Sequence, residues 1–271
     1  MKLVAASKLR KTQNAIVALR PYANKLREIL QNLSGSMDNT DSGSFSRERP
    51  VQKALFIILT SNRGLCGPFN SNVIRNAKIH IAEEYQELNR QGKLDLFCIG
   101  KKGAEHFRKA HFNVSEVNTE IFENASFDNS VKISMSLMER FATGEYDRIE
   151  VIYNQFKNAA VQKLTIEQFL PVVPLESSVG GHSSKANYIF EPEKEILLEQ
   201  LVPKVLKIQF YKMILDSLAS EYAARMTAMH QATDNAQEIL KQLRLSYNKA
   251  RQAAITKELL EIVSGAEALK G

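Results

Sequence analysis

The longest patterned segment of this chain runs from Lys204 to Ser264 and contains neither Gly nor Pro. Apolar or small residues recur in it at spacings of three and four, which is typical of an α-helix with one apolar face. At about 1.5 Å per residue, a helix of this length extends roughly 90 Å, whereas a globular helix usually has about 11–12 residues. We therefore expect one long helix that packs on a partner helix, on another subunit, or on both; an ordinary amphipathic helix on a globular core is the alternative.

The centre of this segment follows the alternating three-four spacing of a coiled-coil seam. The seam positions are Met226, Met229, Thr233, Ala236, Leu240, Leu243, Tyr247, Ala250 and Ala254. Upstream, the step from Leu218 to Tyr222 to Met226 departs from the heptad, which locally changes the supercoil. Downstream, the stripe moves by one residue and continues through Ile255, Leu259, Ile262, Ala266 and Leu269.

Residues 2–33 carry a second seam. Two sets of residues recur every seven positions, namely Leu9, Ile16, Ala23 and Leu30, and Leu19, Leu26 and Leu33. Pro21 lies inside this segment, and an interior Pro removes a helical hydrogen bond and tends to kink the helix. The pattern predicts a helix bent near Leu19–Arg20, or else two helices, that pairs in antiparallel fashion with the C-terminal helix.

The middle of the chain has a different pattern, in which short apolar runs alternate with helical segments. Strands are predicted at Ala54–Thr60, Leu94–Ile99, Phe112–Val117, Arg148–Tyr153 and Val161–Phe169, and helices at 72–91, 101–110 and 128–143. Such alternation predicts a mainly parallel sheet with helices on both faces. An antiparallel last strand is an alternative that the pattern leaves open. Ser- and Gly-rich stretches at 34–50 and 177–185 are typical of loops.

The patterns together predict an α/β fold: a long antiparallel coiled coil of N- and C-terminal helices with an inserted Rossmann-like α/β domain. The predicted boundaries are 1–33 for the N-terminal helix, 34–50 for a linker, 51–191 for the Rossmann-like domain and 192–271 for the long C-terminal helix.

Composition narrows the function classes. No apolar run approaches the roughly 20 residues of a membrane span, no signal peptide is expected, and two cysteines without metal spacing favour a reducing compartment. The net charge is +6, and the first 33 residues account for it with seven cationic side chains and one acidic. A basic helix of this kind suits nucleic acid, an anionic membrane surface or an acidic protein. Tyr22 is the only aromatic residue among these charges, so base stacking is not expected.

The loop Ser61–Gly67 follows a strand and precedes a helix, where a Rossmann phosphate loop would lie. It lacks the G-x-G-x-x-G spacing, and the stretch Gly100–Gly103 lacks the GK[ST] of a P-loop. Cys66 is best explained as a small residue filling a tight turn, and the five histidines show no metal-ligand spacing. We expect no catalytic site, no metal, no cofactor and no nucleotide binding.

Four segments together span nearly the whole chain: MKLVAASKLRK at 1–11, TSNRGLCG at 60–67, YNKARQA at 247–253 and ITKELLEIVSGAEA at 255–268. In sequence, order and spacing they resemble the gamma subunit of F-type ATP synthases. The family starts several helical turns earlier, so Met1 falls inside the first helix. The plastid-type insertion with its regulatory cysteine pair is absent, so thiol control of rotation is not expected.

The resemblance implies a rotor shaft with no chemistry of its own. Its partners would be the alpha and beta subunits of the catalytic hexamer, the epsilon subunit and the membrane c-ring, at the cytoplasmic face of a bacterial membrane and without direct membrane insertion. The shaft would couple ion-driven rotation of the ring to conformational change at the beta subunits. The residues implied to contact the surrounding subunits are Lys2, Lys8, Arg251, Gln252, Ile255, Thr256, Glu258, Leu259, Glu261, Ile262 and Ala266.

Two other functions are alternatives to a rotor shaft. A Rossmann-like enzyme with helical dimerisation arms would need a fingerprint loop or clustered titratable residues. A basic coiled-coil nucleic-acid binder would show strongly salt-dependent affinity for DNA, and it lacks the expected aromatic and Arg-rich reading elements.

Overall fold

The computed structural model describes residues 1–34, 45, 49–122, 125–159, 161–172 and 194–269. Their helices are α1 (Lys2–Ser34), α2 (Phe69–Glu84), α3 (Gln86–Arg90), α4 (Lys101–Lys109), α5 (Phe127–Ala142) and α6 (Lys194–Ala268). Their strands are β1 (Ala54–Leu59), β2 (Leu94–Ile99), β3 (Val114–Asn118), β4 (Arg148–Phe156) and β5 (Gln162–Leu170). The fold class predicted from the sequence, a mixed α/β protein with a long C-terminal helix, is confirmed.

The first helix is continuous through Pro21, so the N-terminal segment forms one helix rather than two. One face of α1 is buried or half-buried, at Ala5, Leu9, Thr12, Ile16, Leu19, Ala23 and Leu26. These positions alternate in steps of four and three, which is the spacing of a coiled-coil seam. The structure thus extends the predicted seam towards the N-terminus by Ala5 and adds Thr12 between Leu9 and Ile16. A bend near Pro21 stays a prediction.

The strands form one five-stranded sheet in the order β3-β2-β1-β4-β5. The first four strands are parallel, with Ala54 of β1 beside Leu94 of β2 and Arg148 of β4. The last strand pairs antiparallel with β4, as considered from the sequence. Every residue of β1 and β2 is buried, because helices cover both faces of a parallel sheet and leave no strand face to solvent.

Alternate residues of β1 feed two separate cores. Leu55, Ile57 and Leu59 pack on one side of the sheet with α5 and α6. Ala54, Phe56 and Ile58 pack on the other side with α2 and α4. The period-two alternation of strand side chains explains this division.

The predicted helix over 72–91 is in fact two helices, because the backbone leaves the helical conformation at Tyr85 (φ −125°). The Tyr85 side chain is buried, and its hydroxyl donates a hydrogen bond to the carboxylate of Glu150 at 2.6 Å. A tertiary contact therefore overrides the local helical pattern at this residue.

Contacts within the described residues divide the chain into two units, Met1–Thr227 and Ala228–Gly271. In the first unit, every residue of α6 from 213 to 221 is buried, because one side of the helix faces the sheet and another faces α1. Leu218 packs with the sheet core, whereas Leu215, Ala219 and Ala223 pack against Leu9 and Ile16 of α1.

The two helices run antiparallel in this unit, since an early residue of α1 meets a late residue of α6 and the reverse. The Lys8 ammonium lies 5.6 Å from the centre of the Tyr222 ring. Further along α1, Arg20 lines a cavity of about 220 Å³ together with Lys212 and Asp216 of α6.

The second unit consists of the remainder of α6, and from 231 to 269 every described side chain is exposed. The predicted loop at 177–185 lies outside the described residues, as does almost all of the predicted linker at 34–50. The division into four segments with boundaries at 33, 50 and 191 stays a prediction.

Candidate functional site

The loop that follows β1 is a tightly bonded turn. The Ser61 backbone amide donates to Asn70 Oδ1 at 2.9 Å, and the Ser61 hydroxyl donates to the Arg63 carbonyl at 2.7 Å. Leu65 adopts φ 64°, a left-handed conformation that is uncommon for a residue with a side chain. Side-chain and backbone bonds thus define this loop, which leaves Arg63 and Leu65 exposed at its tip.

Cys66 fills the inside of this turn. It is 1% exposed and packs with Phe69 and with Ala224 of α6. Burial raises the pKa of its thiol above the ordinary value, an effect that outweighs the hydrogen bond from Ser61. A thiol with a raised pKa is a poor nucleophile, which agrees with the packing role expected from the sequence.

The Gly100–Gly103 stretch packs against the end of β1. A Cβ atom built on Gly100 would lie 1.9 Å from the Thr60 carbonyl oxygen, and Gly100 has φ +109°. The backbone amide of Gly103 donates to Thr60 Oγ1 at 2.9 Å. These glycines allow α4 to approach the strand closely, so their role is structural.

The sheet reverses its strand order between β1 and β4, and doubly wound folds bind ligands in the crevice at such a point. Here helix α6 packs against this region. The Ser220 hydroxyl donates to the Asn154 carbonyl at 2.9 Å, and the Asn154 side-chain amide donates to the Phe69 carbonyl at 3.2 Å. In this chain, helix α6 therefore packs at the place where a doubly wound fold would bind its ligand.

Arg225 of α6 holds the loop from the helix side. Its guanidinium donates to the carbonyl oxygens of Gly64 and, at 3.3 Å, Arg63. It also pairs with the carboxylate of Glu221, one turn earlier on the same helix. The side chains of Arg225 and Glu221 are only 15% and 9% exposed, so water competes little for this ion pair. We name Glu221, Arg225, Arg63 and Gly64 the loop clasp.

Burial raises the pKa of the Glu221 carboxyl, although the adjacent Arg225 opposes this shift. Breaking a buried ion pair by removing one partner is costly, because the other charge remains buried without compensation. The loop clasp thus connects the loop after β1 to α6. Its only trace in the sequence is the i,i+4 pair of opposite charges, Glu221 and Arg225.

The eleven residues predicted to contact other subunits fall into two groups. Lys2 and Lys8 lie on the exposed side of α1 in the first unit, where Lys8 contacts the Tyr222 ring. The other nine lie on α6 in the second unit, and all are exposed: Arg251, Gln252, Ile255, Thr256, Glu258, Leu259, Glu261, Ile262 and Ala266.

The exposed apolar residues of the second unit are large. Ile255, Leu259 and Ile262 are 50%, 57% and 67% exposed, and they recur at steps of four and three along one helix face. A contiguous apolar stripe of this kind marks an interaction surface. Near them, Lys257 and Glu261 form an ion pair at 3.8 Å.

Within the part of the chain that the structure describes, no helix combines the length and apolarity needed to cross a bilayer. The same residues contain no group of three His, Cys, Asp or Glu side chains arranged to hold a metal ion.

Comparison with known proteins gives one consistent answer. Residues 1–269 match the family described as ATP synthase. The chain is 55% identical to the ATP synthase gamma chain of Flavobacterium psychrophilum and 54% identical to that of Flavobacterium johnsoniae. In both cases the match covers 100% of this chain and 92% of the relative.

Solved structures agree in fold. A chain in the central stalk and c-ring structure of the Tetrahymena thermophila mitochondrial ATP synthase has a TM-score of 0.61 and 25% identity, covering 86% of this chain and 97% of its own length. A chain from the Euglena gracilis mitochondrial ATP synthase has a TM-score of 0.61 over 97% of this chain and 95% of its own length, but at 21% identity it shows the fold alone. On the full-length match to its relatives, this chain belongs to the gamma-chain family of ATP synthases.

Proposed function

We propose that this chain is the rotating central shaft of an F-type ATP synthase and transmits torque between the membrane ring and the catalytic subunits without chemistry of its own. The observation that carries the proposal is the exposed half of α6. Its side chains from 231 to 269 include a row of large apolar residues and have no cover within the described chain. A surrounding set of other subunits would supply that cover.

The loop clasp, where α6 contacts the α/β domain, supports the same function. A shaft that carries torque needs a firm connection to the domain that receives it. Arg225, paired with Glu221, bonds to the Arg63 and Gly64 carbonyls and so connects α6 to the loop that follows β1. Load applied to the α/β domain would pass into α6 through these bonds and through the packing of α6 on the sheet core.

The proposed partners are the alpha and beta subunits around the exposed part of α6, and the epsilon subunit and c-ring at the α/β domain. The Tetrahymena structure contains the central stalk and the c-ring together, which supports the c-ring as a partner. Membrane association would occur only through the complex, at the cytoplasmic face of a bacterial membrane.

The proposed contact residues follow from resemblance and exposure. The cationic side chains of Lys2, Lys8 and Arg251 suit acidic loops on the catalytic subunits, because opposite charges favour docking and orientation. The apolar residues Ile255 and Ile262 suit an apolar bearing. The remaining proposed contacts are Gln252, Thr256, Glu258, Leu259, Glu261 and Ala266.

A double substitution, Arg251→Ala with Gln252→Ala, tests this assignment in the assembled enzyme. We expect coupled ATP synthesis to fall several-fold, because two polar contacts between shaft and catalytic subunits are lost. The matched control is Lys132→Ala, an exposed cation on α5, which should leave synthesis unchanged. If the double variant assembles normally and synthesises ATP at the parental rate, the contact assignment is wrong.

A further inference from the structure

The outer face of the α/β domain carries a cationic groove that the shaft function does not use. It lies between α2 and α4, on the side of the sheet opposite α6, and has a volume of about 560 Å³. Arg75 and Lys78 line it from α2, and Lys102, His106 and Lys109 line it from α4. We name these five residues the basic groove.

The charge in the basic groove is largely uncompensated. Glu105 is the acidic residue among those that line it, and it pairs with Lys102 at 3.0 Å. Arg75, Lys78 and Lys109 form no ion pair with any described residue of the chain. Glu105 offsets part of the charge of Lys102 and Lys109. The five groove residues together with Glu105 still carry more positive than negative charge, which creates a positive potential inside the groove.

The pKa of His106 depends on burial and on the charges of the groove. Burial, and after it the ammonium groups of Lys78 on α2 and Lys109 on α4, lower the pKa of His106 below its ordinary value. An anion bound among these groups would oppose the two lysines and would raise the pKa again.

The spacing of the cations in the groove favours an extended anion over a compact one. Lys102 and Lys109 are seven residues apart on one helix, which places them about 10 Å apart along its axis. One compact phosphate does not reach along such a row, whereas several carboxylates on one peptide do. Ile74 adds an apolar surface between the cations, which suits the methylene groups of acidic side chains.

We propose that the basic groove between α2 and α4 is a docking site for an acidic segment of another protein chain. Arg75 and Lys78 on one wall and Lys109 on the other would pair with carboxylates of the bound segment. Because the pairs are exposed, the interaction would be moderate in strength and sensitive to salt.

The test uses the full chain and a fluorescent ten-residue oligoglutamate peptide at low ionic strength. The charge-reversed variant Arg75→Glu with Lys78→Glu should weaken peptide binding by about tenfold, and Lys109→Glu alone, on the other wall, by about threefold. The matched control, Lys93→Glu with Lys132→Glu, changes net charge equally at exposed positions away from the groove and should change binding less than twofold. Circular dichroism verifies that each variant is folded.

A second readout follows the His106 imidazole by NMR. Saturating oligoglutamate should raise the pKa of His106, whereas an oligoglutamine peptide of equal length should leave it unchanged. Equal loss of binding in the groove and control variants would overturn the proposal, as would an unchanged pKa of His106 with bound peptide. Inorganic tripolyphosphate that binds more tightly than the peptide, with the same sensitivity to the groove variants, would also overturn it and indicate a small-anion site.

Discussion

The two parts of α6 differ in how far their apolar side chains are buried. From 213 to 221 every residue is buried between the sheet and α1, whereas from 231 to 269 every described side chain is exposed. Both parts carry apolar residues at three-four spacing, so the difference does not come from periodicity. It arises because the sheet and α1 pack on the first part, whereas no described residue of the chain packs on the second. The first part therefore stabilises the fold of this chain, and the second is available for contact with other subunits.

The loop clasp should show the largest effect, because it places a charge in the buried part of the helix. Replacing Arg225 with Ala leaves the Glu221 carboxylate buried without its partner, which costs about 3–5 kcal/mol. Urea unfolding of the full chain measures this loss. Arg251→Ala, an exposed arginine on the same helix, is the control and should change the free energy of unfolding by less than about 0.5 kcal/mol.

A matched leucine pair compares the two parts directly. Leu218 is 3% exposed and Leu259 is 57% exposed. Leu218→Ala should lower the free energy of unfolding by about 2–5 kcal/mol, because it leaves a cavity in the sheet core. Leu259→Ala should cost less than about 0.5 kcal/mol in the isolated chain. Similar losses in the two variants would contradict the division of the helix into a folded and an assembly part.

A buried carboxyl gives the stability of the buried part a dependence on pH. Burial raises the pKa of Asp216 to about 6, with Lys212 and Arg20 opposing the shift and Glu167 adding to it. Its ordinary value is 3.8, so the folded state binds the proton more tightly than the unfolded chain. The free energy of unfolding should therefore decrease as pH rises from about 4 to about 6.

Asp216→Asn removes this dependence and should stabilise the chain by about 1–3 kcal/mol at pH 7. At pH values below about 4 the parent and the variant should differ little, because both then carry a neutral side chain. Urea unfolding at both pH values measures the effect. A variant that is less stable than the parent at pH 7 would show that the charged form of Asp216 is favoured in the folded state.

The smallest effect is expected in the exposed part. Lys257 and Glu261 form an i,i+4 ion pair with both side chains mostly exposed, at 78% and 66%. Pairs of this kind contribute about 0.3–0.5 kcal/mol and weaken with salt. Lys257→Ala should therefore change helicity only slightly, as measured by circular dichroism at low salt, and the difference should vanish at high salt.

The sequence predicted those parts of the fold that depend on local pattern. The apolar run ALFIILT identified β1 to within one residue. The absence of Gly and Pro from 204 to 264 identified most of the long helix, which continues through Pro203 and Gly265. It did not predict the break at Tyr85, whose cause is the distant Glu150 carboxylate. The uniform burial of 213–221 was also missed, because the pattern was assigned to a single seam and the helix has two partners.

The loop clasp lay beyond sequence reasoning for a similar reason. Arg225 bonds to the Gly64 carbonyl, 161 residues away in the chain, and a backbone carbonyl leaves no mark in the sequence. Motif resemblance, in contrast, suggests contact residues on α6, because the YNKARQA and ITKELLEIVSGAEA segments are continuous; these contacts stay a prediction.

The most direct test of the shaft proposal is cysteine labelling of the exposed part of α6. Cys66 and Cys98 are 1% and 0% exposed, so a maleimide should report mainly on an introduced cysteine. Ile262→Cys should react rapidly in the isolated chain and should be strongly protected once alpha and beta subunits assemble around it. Equal reactivity of Ile262→Cys in the isolated chain and in the assembled complex would contradict the account.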